Sequence, residues 1–105
     1  MVARVWKGQT RAADVEAYRA YVRETGLADY ASTAGNRGAF ILTAVDGDFA
    51  EIITVSLWDS RDAIAAFAGE DISVARFYPD DERFLTAADL HASHYEVDTA
   101  EPARG

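Results

Sequence analysis

The chain has 105 residues, enough for one domain and no second. Its 18 acidic and 10 basic residues give a net charge of −8, which excludes the basic footprint of sequence-independent nucleic-acid binding and disfavours anionic membrane surfaces. The absence of cysteine excludes disulfides, thiol catalysis and cysteine metal sites. Half of the residues are hydrophobic, yet many of these are alanine. So modest a core in so short a chain points to help from a second subunit. No apolar run approaches the ~20 residues of a membrane span. The opening Met1-Val2-Ala3-Arg4-Val5-Trp6 lacks the pattern of a signal peptide. A cytoplasmic protein without a membrane partner is expected.

Val2 to Gly8 is rich in Val and Trp and predicts the first strand. Thr10 can cap the next segment, where Val15, Tyr18, Tyr21, Val22 and Thr25 recur at helical spacing until Gly26. Residues 27–37 read as a loop. Ala39–Val45 predicts a strand, Asp46-Gly47 a hairpin turn, and Asp48–Trp58 a long strand. Asp59, with Asp62 three residues on, is the expected cap of a second helix carrying Ile64 and Phe67 and ending at Gly69. Asp71–Tyr78 reads as a short helix before Pro79, Asp80–Asp89 as turn-rich, and His91–Val97 as the last strand. Residues 1–97 then form one domain, and 98–105 a polar, flexible tail.

The order β-α-β-β-α-β is the ferredoxin-like, α+β arrangement: a four-stranded antiparallel sheet with both helices on one face. A turn at Asp46-Gly47 would set Leu42 opposite Glu51 and Phe40 opposite Ile53. Alternation then divides each strand. One side collects Ala3, Val5, Phe40, Leu42, Ala44, Phe49, Ile53, Val55, Leu57, Tyr95 and Val97. Being nearly all apolar, it is expected under the helices. The other side collects Arg4, Trp6, Ile41, Thr43, Ile52, Thr54, Ser56, Trp58, His94 and Glu96. It is expected to be open, and covered by the same face of a second copy in a homodimer. The two sheets would enclose a pocket for a small hydrophobic or aromatic molecule. His91 and His94 lie three apart on a strand and face opposite ways, so no metal site is expected.

The first strand Val2-Ala3-Arg4-Val5-Trp6, the junction Ser56-Leu57-Trp58-Asp59-Ser60, Phe67, and the closing His94-Tyr95-Glu96-Val97 resemble the antibiotic biosynthesis monooxygenase family of dimeric α/β barrels. The resemblance spans residues 2–97. It implies a dimeric barrel and a cofactor-independent monooxygenase, or a related isomerase or cyclase, acting on a small aromatic or polyketide-like substrate. In such a reaction the substrate's own phenolate or enolate reduces O2, and no cofactor is expected. His94 would move a proton and Arg4 hold a phenolate or carboxylate. Trp6 and Trp58 would stack on the ring, Thr54 and Ser56 orient its oxygens, and Ile41 complete the apolar wall. The haem-degrading members carry an Asn in the first strand and a His about ten residues beyond a helical Trp. This chain has neither, with Phe67 at the helical position and Phe77-Tyr78 ten residues on. The alternative is a non-catalytic barrel that binds a small ligand or serves as an accessory subunit. In that reading Trp58 plugs the barrel, Arg4 pairs with Glu96, and Tyr30 covers the core.

Overall fold

In the computed structural model, which describes residues 1–98, the elements follow the expected β-α-β-β-α-β order. Strand β1 (Val2–Arg11) is central and pairs antiparallel with β3 (Phe49–Trp58) along its whole length, Val2 opposite Trp58 and Arg11 opposite Phe49. Strand β2 (Asn36–Asp46) pairs with the far side of β3. The other edge of β1 is shared by two short strands. Leu85–Ala88 (β4) lies along Gly8–Thr10, and Ser93–Glu96 (β5) along Val2–Val5. The sheet order is β2-β3-β1-β4 with β5 beside β1. The expected last strand is β5, and β4 is an additional strand in the segment read as turns. Residues 99–105, most of the expected tail, lie outside the described residues.

The hairpin closes on the pair Asp46–Phe49 around Gly47-Asp48. Gly47 has φ 61° while Asp48 stays at negative φ, the pattern of a turn with glycine in its first central position. The register slides two residues from the expected one: Leu42 faces Ile53 and Phe40 faces Val55. A slip of two leaves every side chain on its expected face.

The first helical layer runs further than its glycine suggests. After a 3-10 turn at Ala12–Asp14, α1 (Val15–Val22) passes through a π-helical turn (Arg23–Leu27) into α2 (Ala28–Ser32) without leaving helical dihedrals. Gly26 is buried in the π turn, where an added Cβ would meet the Tyr78 ring at ordinary van der Waals distance, 3.9 Å. A glycine inside a helix costs about 1 kcal/mol. The burial of Tyr30 against Trp58 and Phe67 one turn later outweighs it.

Helix α3 (Arg61–Ala68) is capped by Ser60, whose Oγ accepts from the Ala63 N–H at 3.2 Å. The expected cap, Asp59, is drawn away by a two-pronged pair with Arg37 at 2.6 and 3.0 Å. Gly69 ends the helix at φ 95°. Asp71–Tyr78 is irregular instead of helical. The Asp71 carboxylate accepts from both the amide and the hydroxyl of Ser73, which competes with helix formation. The Ala75 amide donates to the Leu90 carbonyl. A single-turn helix, α4 (Asp81–Phe84), precedes β4.

The two faces are grouped as alternation predicts, but their cover is reversed. The helices lie over Val2, Arg4, Thr10, Ala50, Ile52, Thr54, Ser56 and Trp58, all buried. The face expected to be inward is open, with Phe40, Leu42, Phe49 and Tyr95 45–59% exposed. The covered face is the one richer in polar residues, Arg4, Thr10, Thr54 and Ser56 among them, so counting hydrophobic residues picks the wrong one.

Candidate functional site

Between the helices and the sheet lies a cavity of about 40 Å³, room for about three waters. The sheet contributes Arg4, Trp6 and Thr54. The first helical layer contributes Tyr18, Val22, Thr25, Gly26 and Tyr30. Phe67 of α3 and Ala75, Arg76, Tyr78 and Asp81 complete the wall. Five of the lining residues are aromatic, and Arg4, Arg76 and Asp81 are charged.

Arg4 is 4% exposed. Its Nη1 donates to the Ile72 carbonyl and, at 3.0 Å, to Nε2 of His94. Its Nη2 donates to the Val74 carbonyl at 3.1 Å. All three acceptors are neutral. Burial pushes the guanidinium's pKa down, and the Tyr30 phenol is the group that opposes this. No carboxylate takes part in the shift, so the expected pair with Glu96 is not what holds Arg4. Glu96 instead lies 3.9 Å from Arg61.

His94 stands beside Arg4 on β5, opposite it in the register. Arginine can only donate, so Nε2 of His94 must be the unprotonated acceptor. Burial lowers the His94 pKa, and the charges of Arg4 and Arg61 lower it further. The ring is therefore neutral near pH 7 and acts on the cavity through Arg4. It does not line the cavity.

The far wall is a phenol–carboxylate network. Tyr18 donates its hydroxyl to Oδ1 of the buried Asp81 at 2.9 Å, and the Tyr78 amide donates to Oδ2 at 2.7 Å. Burial and the Asp81 carboxylate hold the Tyr18 hydroxyl protonated well above its ordinary range. The Tyr78 hydroxyl donates to Asp29 at 2.5 Å, and its pKa is raised first by burial and then by this bond. Arg76 lies over the rings of Phe67 and Tyr78 at 4.9 and 5.2 Å, with Asp29 3.4 Å away.

Of the residues singled out from the sequence, Arg4, Trp6 and Thr54 line the cavity and His94 supports it from behind. The other three belong to the core. Trp58 is fully buried, packs edge-on against Tyr30, and donates Nε1–H to the Ser56 hydroxyl at 2.8 Å. Ser56 is spent on that bond. Ile41 packs against the cluster of Tyr18, Val22 and Ile52. Sequence reasoning missed Tyr18, Phe67, Arg76, Tyr78 and Asp81 as site residues. Their signal was faint: an aromatic-basic run, Arg76-Phe77-Tyr78, in a segment read as helix. Among the described residues no cluster of three His, Cys, Asp or Glu is placed to hold a metal ion. Nor is any helix there long and apolar enough to cross a membrane.

No protein-family model and no curated protein sequence matches the chain. Solved structures do. A MhuD variant holding two manganese protoporphyrin IX molecules per active site matches with a TM-score of 0.70 at 18% identity, covering 98% of this chain and 100% of that one. A Bacillus cereus protein described as an antibiotic biosynthesis monooxygenase matches with a TM-score of 0.63 at 15% identity, covering 100% and 98%. HapK from Hahella chejuensis matches with a TM-score of 0.58 at 14% identity and full coverage of both chains. At these identities the likeness concerns architecture: the chain has the ferredoxin-like α+β fold that these structures share.

Proposed function

We propose that the chain binds a small aromatic anion in the cavity beneath its helices and oxidises it with O2, without metal, flavin or haem. The observation that carries this reading is Arg4: a buried guanidinium held only by neutral acceptors, at the end of an aromatic-lined cavity. A buried cation without a counter-ion favours an anionic ligand. Trp6 and Tyr30 supply flat apolar surface, and Thr54 can orient a ring oxygen.

Arg4 favours the phenolate or enolate of the substrate, which is the form that gives electrons to oxygen. A phenolic substrate with an activated CH2 loses two hydrogens and gains one oxygen as a carbonyl. The second oxygen atom leaves as water, so no outside reductant is needed. His94 fixes the guanidinium's orientation. It is a positioning residue here, not the proton carrier the resemblance implies.

The same reading makes the chain a homodimer. The open sheet face presents Phe40, Leu42, Phe49 and Tyr95 to solvent, more contiguous apolar surface than a monomer usually leaves wet. A second copy packed there would bury more than roughly 1,200 Å². A monomeric mass by light scattering at micromolar concentration overturns this.

The test is to mix the protein with a dihydroxyanthrone in air, following O2 uptake and quinone absorbance. One O2 consumed per quinone formed, faster than in buffer alone, is expected. Arg4→Met should slow it by roughly 10²-fold, as a removed oxyanion partner does. A second reading, binding without turnover, is favoured by the position of His94, which does not line the cavity. Binding with no O2 uptake above buffer would establish it. No binding at all would refute both.

A further inference from the structure

The cavity has an open neighbour. A groove of about 670 Å³ runs between the Phe77–Pro79 segment and β4, and it is walled by Phe77, Pro79, Leu85, Ala88 and Leu90. Two residues, Tyr78 and Asp81, line both the groove and the buried cavity. We infer that the groove is a second subsite of the same binding site, taking an apolar extension of an aromatic anion whose charged head pairs with Arg4. The inference rests on the reading of the cavity given above.

Volume is the first argument. About 40 Å³ is far below the ~300–1,000 Å³ of pockets that enclose a small organic ligand. The cavity and groove joined reach that range. The partition between them is the Tyr78 side chain and the Asp81 carboxylate. Tyr78 is only partly buried, and its ring is held by a hydroxyl bond to the partly exposed Asp29 and by the exposed Arg76 lying 5.2 Å from its centroid. Turning that ring outward joins the two spaces.

Charge is the second argument, and it sets the orientation. The groove lining contains two acids, Asp81 and Glu82, and no base. The cavity holds two bases, Arg4 and Arg76, against the shared Asp81 alone. An anionic head is repelled from the groove and drawn to Arg4, while an uncharged tail meets apolar walls. Phe77 and Leu90, 42% and 68% exposed, gain most from being covered.

The test uses salicylates alkylated para to the carboxylate, from methyl to hexyl, titrated by calorimetry. Affinity should rise about fourfold per methylene while the tail is being buried. Ala88→Phe, which fills the groove, and Leu90→Ser, which removes an exposed apolar wall without touching the core, should each flatten that rise. Leu90→Ser keeps the test alive if Ala88→Phe fails to fold. If the methyl compound binds but longer chains gain nothing, or the gain persists in both variants, the groove subsite is overturned and the cavity reading stands. If no member of the series binds, both fall.

Discussion

Arg4→Met tests the site and its wiring together. Methionine keeps much of the stem's packing and removes the charge and all donors. Three contacts disappear, to Ile72, Val74 and His94. Hydrogen bonds from a charged donor are worth about 1.5–3 kcal/mol each, so their loss alone would cost ~4.5–9 kcal/mol. Against this stands the desolvation of a nearly buried guanidinium, several kcal/mol, which no longer opposes folding. No carboxylate is present to offset that burial, so the two terms are of similar size. The net expectation is a loss of about 2 kcal/mol, or a Tm lowered by roughly 8–16 °C in a domain of this size. For a bound aromatic carboxylate, the same change removes a charge-assisted partner and should weaken Kd by roughly 10- to 150-fold. Scanning calorimetry and titration with 4-methylsalicylate, whose carboxylate is free, read the two effects separately. Unchanged affinity would refute Arg4 as the anion's partner. Unchanged Tm would refute the view that Arg4 ties β1 to the 72–74 segment.

Trp58→Ala should cost about 3–5 kcal/mol in urea unfolding, because Trp58 is fully buried among Tyr30, Ile64 and Phe67; a loss under 1 kcal/mol would contradict its place in the core. Gly35→Ala should lose about 2 kcal/mol or more, since Gly35 sits at φ 90° and an added Cβ would meet the Ala63 Cβ at 2.6 Å. Gly38→Ala, also at positive φ but with open space around it, should lose less, and equal losses would remove the Ala63 contact from the account. His94 has a folded pKa below its ordinary 6.5, so the unfolded chain binds more protons and stability should fall as pH drops below about 6.5. His94→Gln should flatten that part of the Tm-versus-pH curve, and identical curves for both proteins would sink the assignment.

Much of the architecture was legible because local rules act on adjacent residues. Strand alternation placed Arg4, Trp6, Thr54, Ser56, Trp58 and His94 on one face, and that grouping survived a two-residue error in hairpin register because side chains repeat every two residues. Gly47 and Gly69 marked a turn and a helix end through the positive φ that only glycine adopts freely. Other features depended on distant partners. Gly26 does not end its helix, because Tyr30 beyond it is buried against residues more than 25 positions away. Asp59 does not cap α3, because Arg37 on the neighbouring strand claims its carboxylate. The choice of covered face escaped the sequence for the same reason. Alternation yields two sets of residues but no sign, and the set that is covered carries Arg4, Thr54 and Ser56 among its apolar side chains. Only the crossing of the helices over the sheet decided that Trp58 and Ser56 would be core, and that Arg4 would face Tyr30, Phe67 and Tyr78 across a buried cavity.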